Sequence, residues 1–253
     1  MSKKSRSERR VLITGSGAGI GARTAHVLAE HGWRIAVFDI DGCAAVQVAR
    51  SLGTTQGIAF QGDVTDPEAI ERVLNAIMDT WGGIDDLVNN VGIYDHGPLL
   101  ELSLLQWKHV LEANLIAPIA VSCAAARRMK AGGSIVNVSS VLGQVSAPGR
   151  GPYCVSKAAL ISLTKIQAIE WAARNIRVNA IAPGYITSRE TDKLAQSGSI
   201  DHAAICRRTP LGRFGTEEEV ARGIYFLLDP DQSSYVTGHV LEVNGGWTAY
   251  GFV

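Results

Sequence analysis

Short runs rich in β-branched and aliphatic residues recur along the chain, each separated from the next by a segment with helical spacing, and that alternation restricts the fold more than any other feature. The runs are Arg10–Thr14, Arg34–Phe38, Gly57–Gln61, Asp85–Asn89, Ser134–Val138, Arg177–Ile181 and His239–Val243. Several are apolar throughout, as strands covered on both faces are. Helical patterns fill the gaps at 19–31, 42–52, 67–81, 101–130, 153–174 and 216–229. The third opens with Asp66-Pro67, a start signal, and the last with the capping box Thr216-Glu217-Glu218-Glu219. That last segment carries Val220, Ile224, Leu227 and Leu228 at helical spacing. The reading is a doubly wound α/β fold: a seven-stranded parallel sheet, right-handed crossovers and helices on both faces. Ligands of such sheets bind beyond the carboxyl ends of the strands, so functional residues are expected directly after them.

At 253 residues the chain suits one core. No Pro/Gly/Ser linker divides it. Residues 10–253 read as one domain, with a lid at about 185–212 inside the irregular stretch 184–215. Acidic and basic residues balance at 24 each, which argues against a nucleic-acid surface. Lys3, Lys4, Arg6, Arg9 and Arg10 stand against Glu8 at the start, and 1–9 reads as a disordered basic tail without the apolar stretch of a signal peptide. No run of about 18 apolar residues occurs, so no membrane span is expected. Cys43, Cys123, Cys154 and Cys206 lack CxxC spacing and clustering with histidine, so neither a metal site nor a disulfide framework is expected, and a reducing cytoplasm fits.

The first strand runs into Thr14-Gly15-Ser16-Gly17-Ala18-Gly19-Ile20-Gly21. Glycine between a strand and a helix lets the chain turn sharply and lets a pyrophosphate approach backbone N–H groups at the helix N-terminus. Gly15, Gly19 and Gly21 give a G-x-x-x-G-x-G pattern rather than G-x-G-x-x-G. Asp39 ends the second strand, where a carboxylate accepts the ribose hydroxyls of adenosine and repels the extra phosphate of NADP. With neutral Ser16 and Ala18 in the turn, NAD is the expected cofactor. Asp41 is available to cap the following helix. Asp63-Val64 follows the third strand and Asn89-Asn90-Val91-Gly92 the fourth; each alone is ordinary turn chemistry.

Tyr153 and Lys157, four apart beside Pro152, share one helix face. A phenol with its usual pKa of about 10 is a poor base at neutral pH, and a neighbouring ammonium favours phenolate. Tyr153 therefore suits a general acid in reduction and a general base in oxidation. Ser140, at the end of the fifth run, can hydrogen-bond the substrate oxygen; Ser139 is the alternative, since a strand end aims only one side chain into a pocket. Asn114 interrupts an apolar helical pattern, where a buried hydrogen bond is the default.

Jointly, TGSGAGIG at 14–21, Asp63, NNVG at 89–92, Asn114, the SS pair, YCVSK at 153–157, PG at 183–184, PLGRFGTEEEVA at 210–221 and VTGHVLEVNGG at 236–246 resemble the short-chain dehydrogenase/reductase family over nearly the whole chain. The resemblance implies a Rossmann-type fold and a tetrad of Asn114, Ser140, Tyr153 and Lys157, with Asn114 holding a water for proton relay and Lys157 also binding the nicotinamide ribose. It implies a cofactor site of Gly15, Gly17, Gly19, Ile20, Gly21, Asp39, Asp63, Val64, Asn90, Gly92, Pro183, Gly184, Ile186 and Ser188. The family usually has Thr where Ser188 stands, and Thr187 is adjacent, so either hydroxyl fits the carboxamide. Val91 and Asn244 depart from the usual Ala and Asp. The implied activity is an NAD-dependent oxidoreductase for a secondary alcohol, cyclic, diol or sugar-like, and its ketone. A 3-oxoacyl thioester reductase is the alternative, and an inactive NAD-binding sensor a further one. A homotetramer is implied, built on the helices at 101–130 and 153–174 and on the final strand. Substrate selection is expected from 93–98, 141–152, 185–212 and the tail 247–253, with Val141, Leu142, Val145, Tyr185 and Leu194 as apolar wall. His96, His202, Arg207 and Arg208 fit solvated surface better than substrate contact.

Overall fold

The computed structural model describes residues 9–53, 56–130, 132–188, 191 and 200–251. Residues 1–8 of the expected tail, Leu194 and the middle of the expected lid lie outside them. Strands β1 (Arg10–Thr14), β2 (Arg34–Asp39), β3 (Gly57–Gln61), β4 (Asp86–Asn89), β5 (Gly133–Val138), β6 (Ile176–Pro183) and β7 (Val240–Val243) follow the apolar runs closely. They form one seven-stranded sheet in the order β3-β2-β1-β4-β5-β6-β7, every pairing parallel. The chain starts mid-sheet, winds outward through β2 and β3, then returns beside β1 as β4 and winds the other way. Strand order reverses between β1 and β4, which opens a crevice above their carboxyl ends.

The unbroken apolar runs divide between two layers. Leu12, Ala36, Phe38, Leu87, Ile135 and Val178 point to one face, packed on helix α3 (Pro67–Trp81) through Ile70, Val73, Leu74 and Ile77. Val11, Ile13, Ile35, Val37, Val88 and Val136 point to the other. There they meet α1 (Gly19–Glu30), α2 (Gly42–Ser51) and α8 (Glu217–Leu228), which bring Ala25, Leu28, Val48, Val220, Ile224 and Leu227. Each fully buried aliphatic side chain contributes about 1.5–3 kcal/mol, so both faces drive folding. Helix ends follow the local signals: Asp41 caps α2, Asp66 caps α3, and Thr216 with Glu219 forms the box that opens α8.

Tertiary structure alters three expectations. Arg9, read as part of a loose tail, donates from Nε to Asp86 Oδ2 at 2.8 Å, and Trp33 Nε1 donates to the same oxygen at 2.8 Å. Arg10 does likewise to Asp85 (2.7 Å), so two ion pairs clamp β1 at its start. The pattern at 101–130 is not one helix. A capping box of Ser103 and Gln106 starts α4 (Leu104–Leu111), a π turn follows at Glu112–Ile116, and α5 (Ala117–Arg128) completes it. By length and a mean hydropathy of 1.4, Leu104–Arg128 is also apolar enough to cross a bilayer, although it holds no long unbroken apolar run. Much of it is core: Val110, Ala113, Ala117, Val121, Ala124 and Ala125 are buried. Finally, α7 (His202–Arg208), capped by Asp201, lies in the stretch expected to be irregular, and a short α9 (Pro230–Ser233) follows α8; α6 (Gly151–Trp171) carries the Tyr153 segment.

Candidate active site

A continuous cleft of about 1300 Å³ runs along the carboxyl ends of the central strands. At its floor β1 turns sharply at Gly15 (φ 61°) and enters α1 through Gly19 (φ 59°), conformations that favour glycine. Asn90 braces this turn: its Nδ2 donates to the carbonyls of Thr14 (3.1 Å) and Gly15 (2.8 Å). Gly21 is not on the cleft wall but is packed beneath it; a Cβ there would lie 2.4 Å from the Gly15 carbonyl oxygen and 2.6 Å from Asn90 Nδ2. Gly21→Ala is therefore expected to push the turn outward and weaken binding of a dinucleotide in the cleft at least about tenfold, in line with an overpacking penalty of about 1–3 kcal/mol. Fluorescence titration checks this, and an unchanged Kd would show that the turn tolerates the methyl.

Asp39 lies across from the turn, Oδ2 accepting from the Gly17 N–H at 2.7 Å and Oδ1 from the Asp41 N–H at 3.0 Å. Each carboxylate oxygen keeps a second lone pair for a ligand hydroxyl. Asp63 and Val64 line the same end, joined by Ile40, Cys43 and Gln47, which sequence spacing did not indicate.

Tyr153 and Lys157 stand midway along the cleft, on the first turns of α6. The ammonium lies 5.6 Å from the centre of the Tyr153 ring, and its Nζ donates to the Val138 carbonyl at 2.9 Å. Lys157 is almost wholly buried, and desolvation lowers its pKa from 10.5 to about 8. Gly92 gives it room: a Cβ there would come within 3.1 Å of Nζ. The two serines after β5 are separated by their partners. Ser139 Oγ donates to the Lys157 carbonyl at 2.9 Å, while Ser140 Oγ accepts from the Leu142 N–H and keeps its own proton. Both line the cleft.

Asn114 does not line the cleft. It is fully buried in the π turn, its Oδ1 accepting from the Ile93 N–H and its Nδ2 donating to the Ile93 carbonyl, each at 2.8 Å. The same Nδ2 donates to Ser156 Oγ at 3.0 Å, so this side chain ties the loop after β4 to α6. Pro183, Gly184 and Ile186 form the far wall after β6. Ser188 is on that wall and Thr187 is exposed outside it; Thr191, also on the wall, bonds to Ser188.

Beyond Tyr153 the walls are Ile93, Tyr94, Val141, Leu142 and Tyr185, with Arg150 between them. Val145, expected on that wall, is on the surface. Tyr185 packs at a tilt against Trp247 (5.2 Å) and Phe214 (5.8 Å), and His202 stacks on Phe214 (4.3 Å). Arg208 lies over Trp247 and Tyr250 and donates to the Tyr250 carbonyl at 2.7 Å. It is thus a fastener for the C-terminal segment, not the solvated residue its charge suggested.

Residues 15–248 match the family described as enoyl-(acyl carrier protein) reductase. This chain belongs to the short-chain dehydrogenase/reductase family. It is 38% identical over 248 residues to the cis-4-hydroxycyclohexanecarboxylate dehydrogenase of Sinomonas cyclohexanicum, covering 96% of this chain and 98% of that protein. It is 38% identical over 238 residues to the 3-oxoacyl-[acyl-carrier-protein] reductase FabG of Vibrio cholerae, covering 93% and 95%. An uncharacterized short-chain type dehydrogenase/reductase of Sinorhizobium fredii is 35% identical over 94% of this chain, which spans 43% of that longer protein. A crystal structure from Beutenbergia cavernae, described as an NAD(P)-dependent gluconate 5-dehydrogenase with NADP bound, superposes with a TM-score of 0.89 at 35% identity, covering 96% of this chain and 97% of that one. The short-chain dehydrogenase/reductase fold thus places an oxidoreductase cleft, for alcohol or ketone groups and a nicotinamide cofactor, where strand order reverses.

Proposed function

We propose that this short-chain dehydrogenase/reductase is an NAD-dependent dehydrogenase of a secondary alcohol, cyclic, diol or sugar-like. One observation carries the reading: Tyr153, Lys157 and Ser140 converge midway along a cleft whose far end holds the glycine turn and Asp39. The cleft fits a dinucleotide because Gly15, Gly17 and Gly19 line it at the strand-to-helix turn, where backbone N–H groups at a helix N-terminus receive a pyrophosphate. Gly15, Gly17, Gly19 and Ile20 would hold the pyrophosphate, and Asp39 the adenosine ribose, with Asp63 and Val64 beside the adenine. Gly92, Pro183, Gly184, Ile186 and Ser188 would flank the nicotinamide, with Asn90 and Gly21 holding the turn in shape. When bound, the nicotinamide supplies or accepts the hydride.

The remaining chemistry is proton management by the chain itself. Tyr153 Oη takes the proton of the substrate hydroxyl in oxidation and returns it in reduction. Ser140 donates a hydrogen bond to the substrate oxygen and holds it in place for that exchange. Lys157 stabilises the phenolate electrostatically and would hold the ribose hydroxyls of the cofactor; Asn114 fixes the loop at Ile93 beside them. Exposed Leu104, Leu105, Val155, Ile166 and Ile169 on α4 and α6 support a homotetramer, since packing against a second subunit would cover them. The four free cysteines suit a reducing cytoplasm.

The test is NADH absorbance with a panel of cyclic alcohols, polyols, sugars and hydroxyacyl thioesters. Asp39 predicts kcat/KM at least about tenfold higher with NAD than with NADP, since a carboxylate facing a phosphate costs several kcal/mol. Asp39→Ala should narrow that ratio. Faster turnover with NADP would sink the cofactor assignment. The likeness to the Vibrio cholerae enzyme supports a second reading, reduction of a 3-oxoacyl thioester. Preferential turnover of acetoacetyl thioesters over every alcohol in the panel would establish it instead.

A further inference from the structure

Charge is segregated along the cleft. Asp39, Asp41 and Asp63 line its adenosine end, whereas Lys157 and Arg150 line the catalytic end. The ammonium of Lys157 donates to the Val138 carbonyl and lies beside the Tyr153 ring, where the proton chemistry uses it. The Arg150 side chain has no hydrogen bond or ion pair among the described residues. It precedes Tyr153 as the residue before α6, half-buried in the cleft wall.

Its guanidinium lies 5.4 Å over the ring of Tyr94, and Tyr94 meets Tyr153 edge-on with ring centres 6.4 Å apart. Among the described residues no carboxylate is within ion-pair distance of Arg150. The other charged side chains on that part of the wall, His109 and Glu112, are exposed at the rim. The guanidinium is close enough to Tyr185 to oppose the rise that burial imposes on that phenol, and it adds to the effect of burial in lowering His96, against the pull of Asp95.

A half-desolvated guanidinium without a counter-charge is an unfavourable arrangement unless a ligand supplies one. Stacking on Tyr94 occupies one face and leaves the N–H fork, whose geometry matches a carboxylate bidentately. The surrounding wall of Ile93, Val141, Leu142 and Tyr185 suits the apolar body of the same molecule.

We infer that Arg150 is the specificity-determining residue of this cleft and that the substrate is a secondary alcohol carrying a carboxylate. The inference rests on the dehydrogenase reading above and extends it to the charge of the substrate. It places the carboxylate beside Tyr94 and the reacting hydroxyl at Tyr153.

Two measurements test it on the NADH- or NAD-loaded protein. Cyclohexanecarboxylate and its methyl ester, neither of which reacts, are titrated calorimetrically into wild type, Arg150→Lys and Arg150→Met. The acid is expected to bind wild type at least about thirtyfold tighter than the ester, the ratio falling to about one in Arg150→Met and to an intermediate value in Arg150→Lys. Equal binding of acid and ester to wild type, or a ratio untouched by Arg150→Met, overturns the inference. If Arg150→Met does not fold, Arg150→Gln decides by the same ratio, and the wild-type ratio requires no variant.

Turnover of cis-4-hydroxycyclohexanecarboxylate and its methyl ester with NAD then separates the two levels. Oxidation of the ester as fast as the acid leaves the dehydrogenase in place and removes the role of Arg150. Arg150-dependent binding of the acid without turnover of any alcohol leaves the anion site standing and removes the dehydrogenase.

Discussion

Replacing Tyr153 with Phe is expected to lower kcat for alcohol oxidation by about 10³-fold, within the range that a positioned general base supplies, while NADH affinity changes less than about threefold. The substitution removes one oxygen and little else. The ring keeps its edge-on contact with Tyr94 and its place beside the Lys157 ammonium, so the cleft wall is preserved. Stopped-flow rates of NADH formation together with an NADH binding titration provide the check. A Tyr153→Phe enzyme retaining more than about a tenth of wild-type kcat would mean that another group moves the proton, and the mechanism proposed for this cleft would be wrong.

Lys157→Met carries the second large effect, and it is readable in stability as well as in rate. Burial holds the folded pKa of Lys157 near 8, against 10.5 for an exposed lysine. Below pH 8 the amine is protonated in both folded and unfolded chains, and folding without cofactor bears the whole desolvation penalty, on the order of 3 kcal/mol. Between the two values the unfolded chain binds more protons, so stability climbs with pH; above the higher value the penalty is gone. Urea denaturation from pH 7 to 10.5 should therefore show wild type gaining up to about 3 kcal/mol relative to Lys157→Met. The Val138 carbonyl loses its donor in the variant at every pH, which offsets the curves but leaves their divergence unchanged. Activity of the variant should fall by at least about 10²-fold, because phenolate loses its nearest cation. Parallel stability curves would show that the buried amine does not titrate as described.

Much of this was readable from the residues in order. Two-faced strands announce themselves by unbroken apolar runs, and Leu12 against Val11 and Ile13 shows the period of two that sends neighbours into opposite layers. Asp66-Pro67 and Thr216 to Glu219 mark helix starts because capping involves only a few adjacent residues. The glycine turn and the Tyr153–Lys157 pair are likewise local, one fixed by allowed φ, the other by helical spacing. Most of the residues read as cofactor-binding do line the cleft.

Other features were hidden because they depend on partners distant in the chain. The clamp of Arg9 on Asp86 joins residues 77 apart, and an arginine between Glu8 and Arg10 gives no local sign of it. Asn90 looked like a turn residue, yet its amide reaches back to Gly15. Asn114 needed the loop at Ile93 and the neighbouring α6 to satisfy its amide, and only their approach explains its burial. Arg150 carries no local mark within 141–152, because Tyr94 and Tyr185 reach it from other parts of the chain.

The sequence by itself determined the seven strands, most of the helices, the glycine turn, and that a phenol and an amine share a helix face, since these follow from periodicity and steric limits within a few residues. The tertiary structure alone decided which of two adjacent serines keeps its proton for the cleft, how far the amine is dried, and which charge waits at the substrate end. Those outcomes depend on which groups are desolvated together, and desolvation is a property of packed neighbours rather than of chain order.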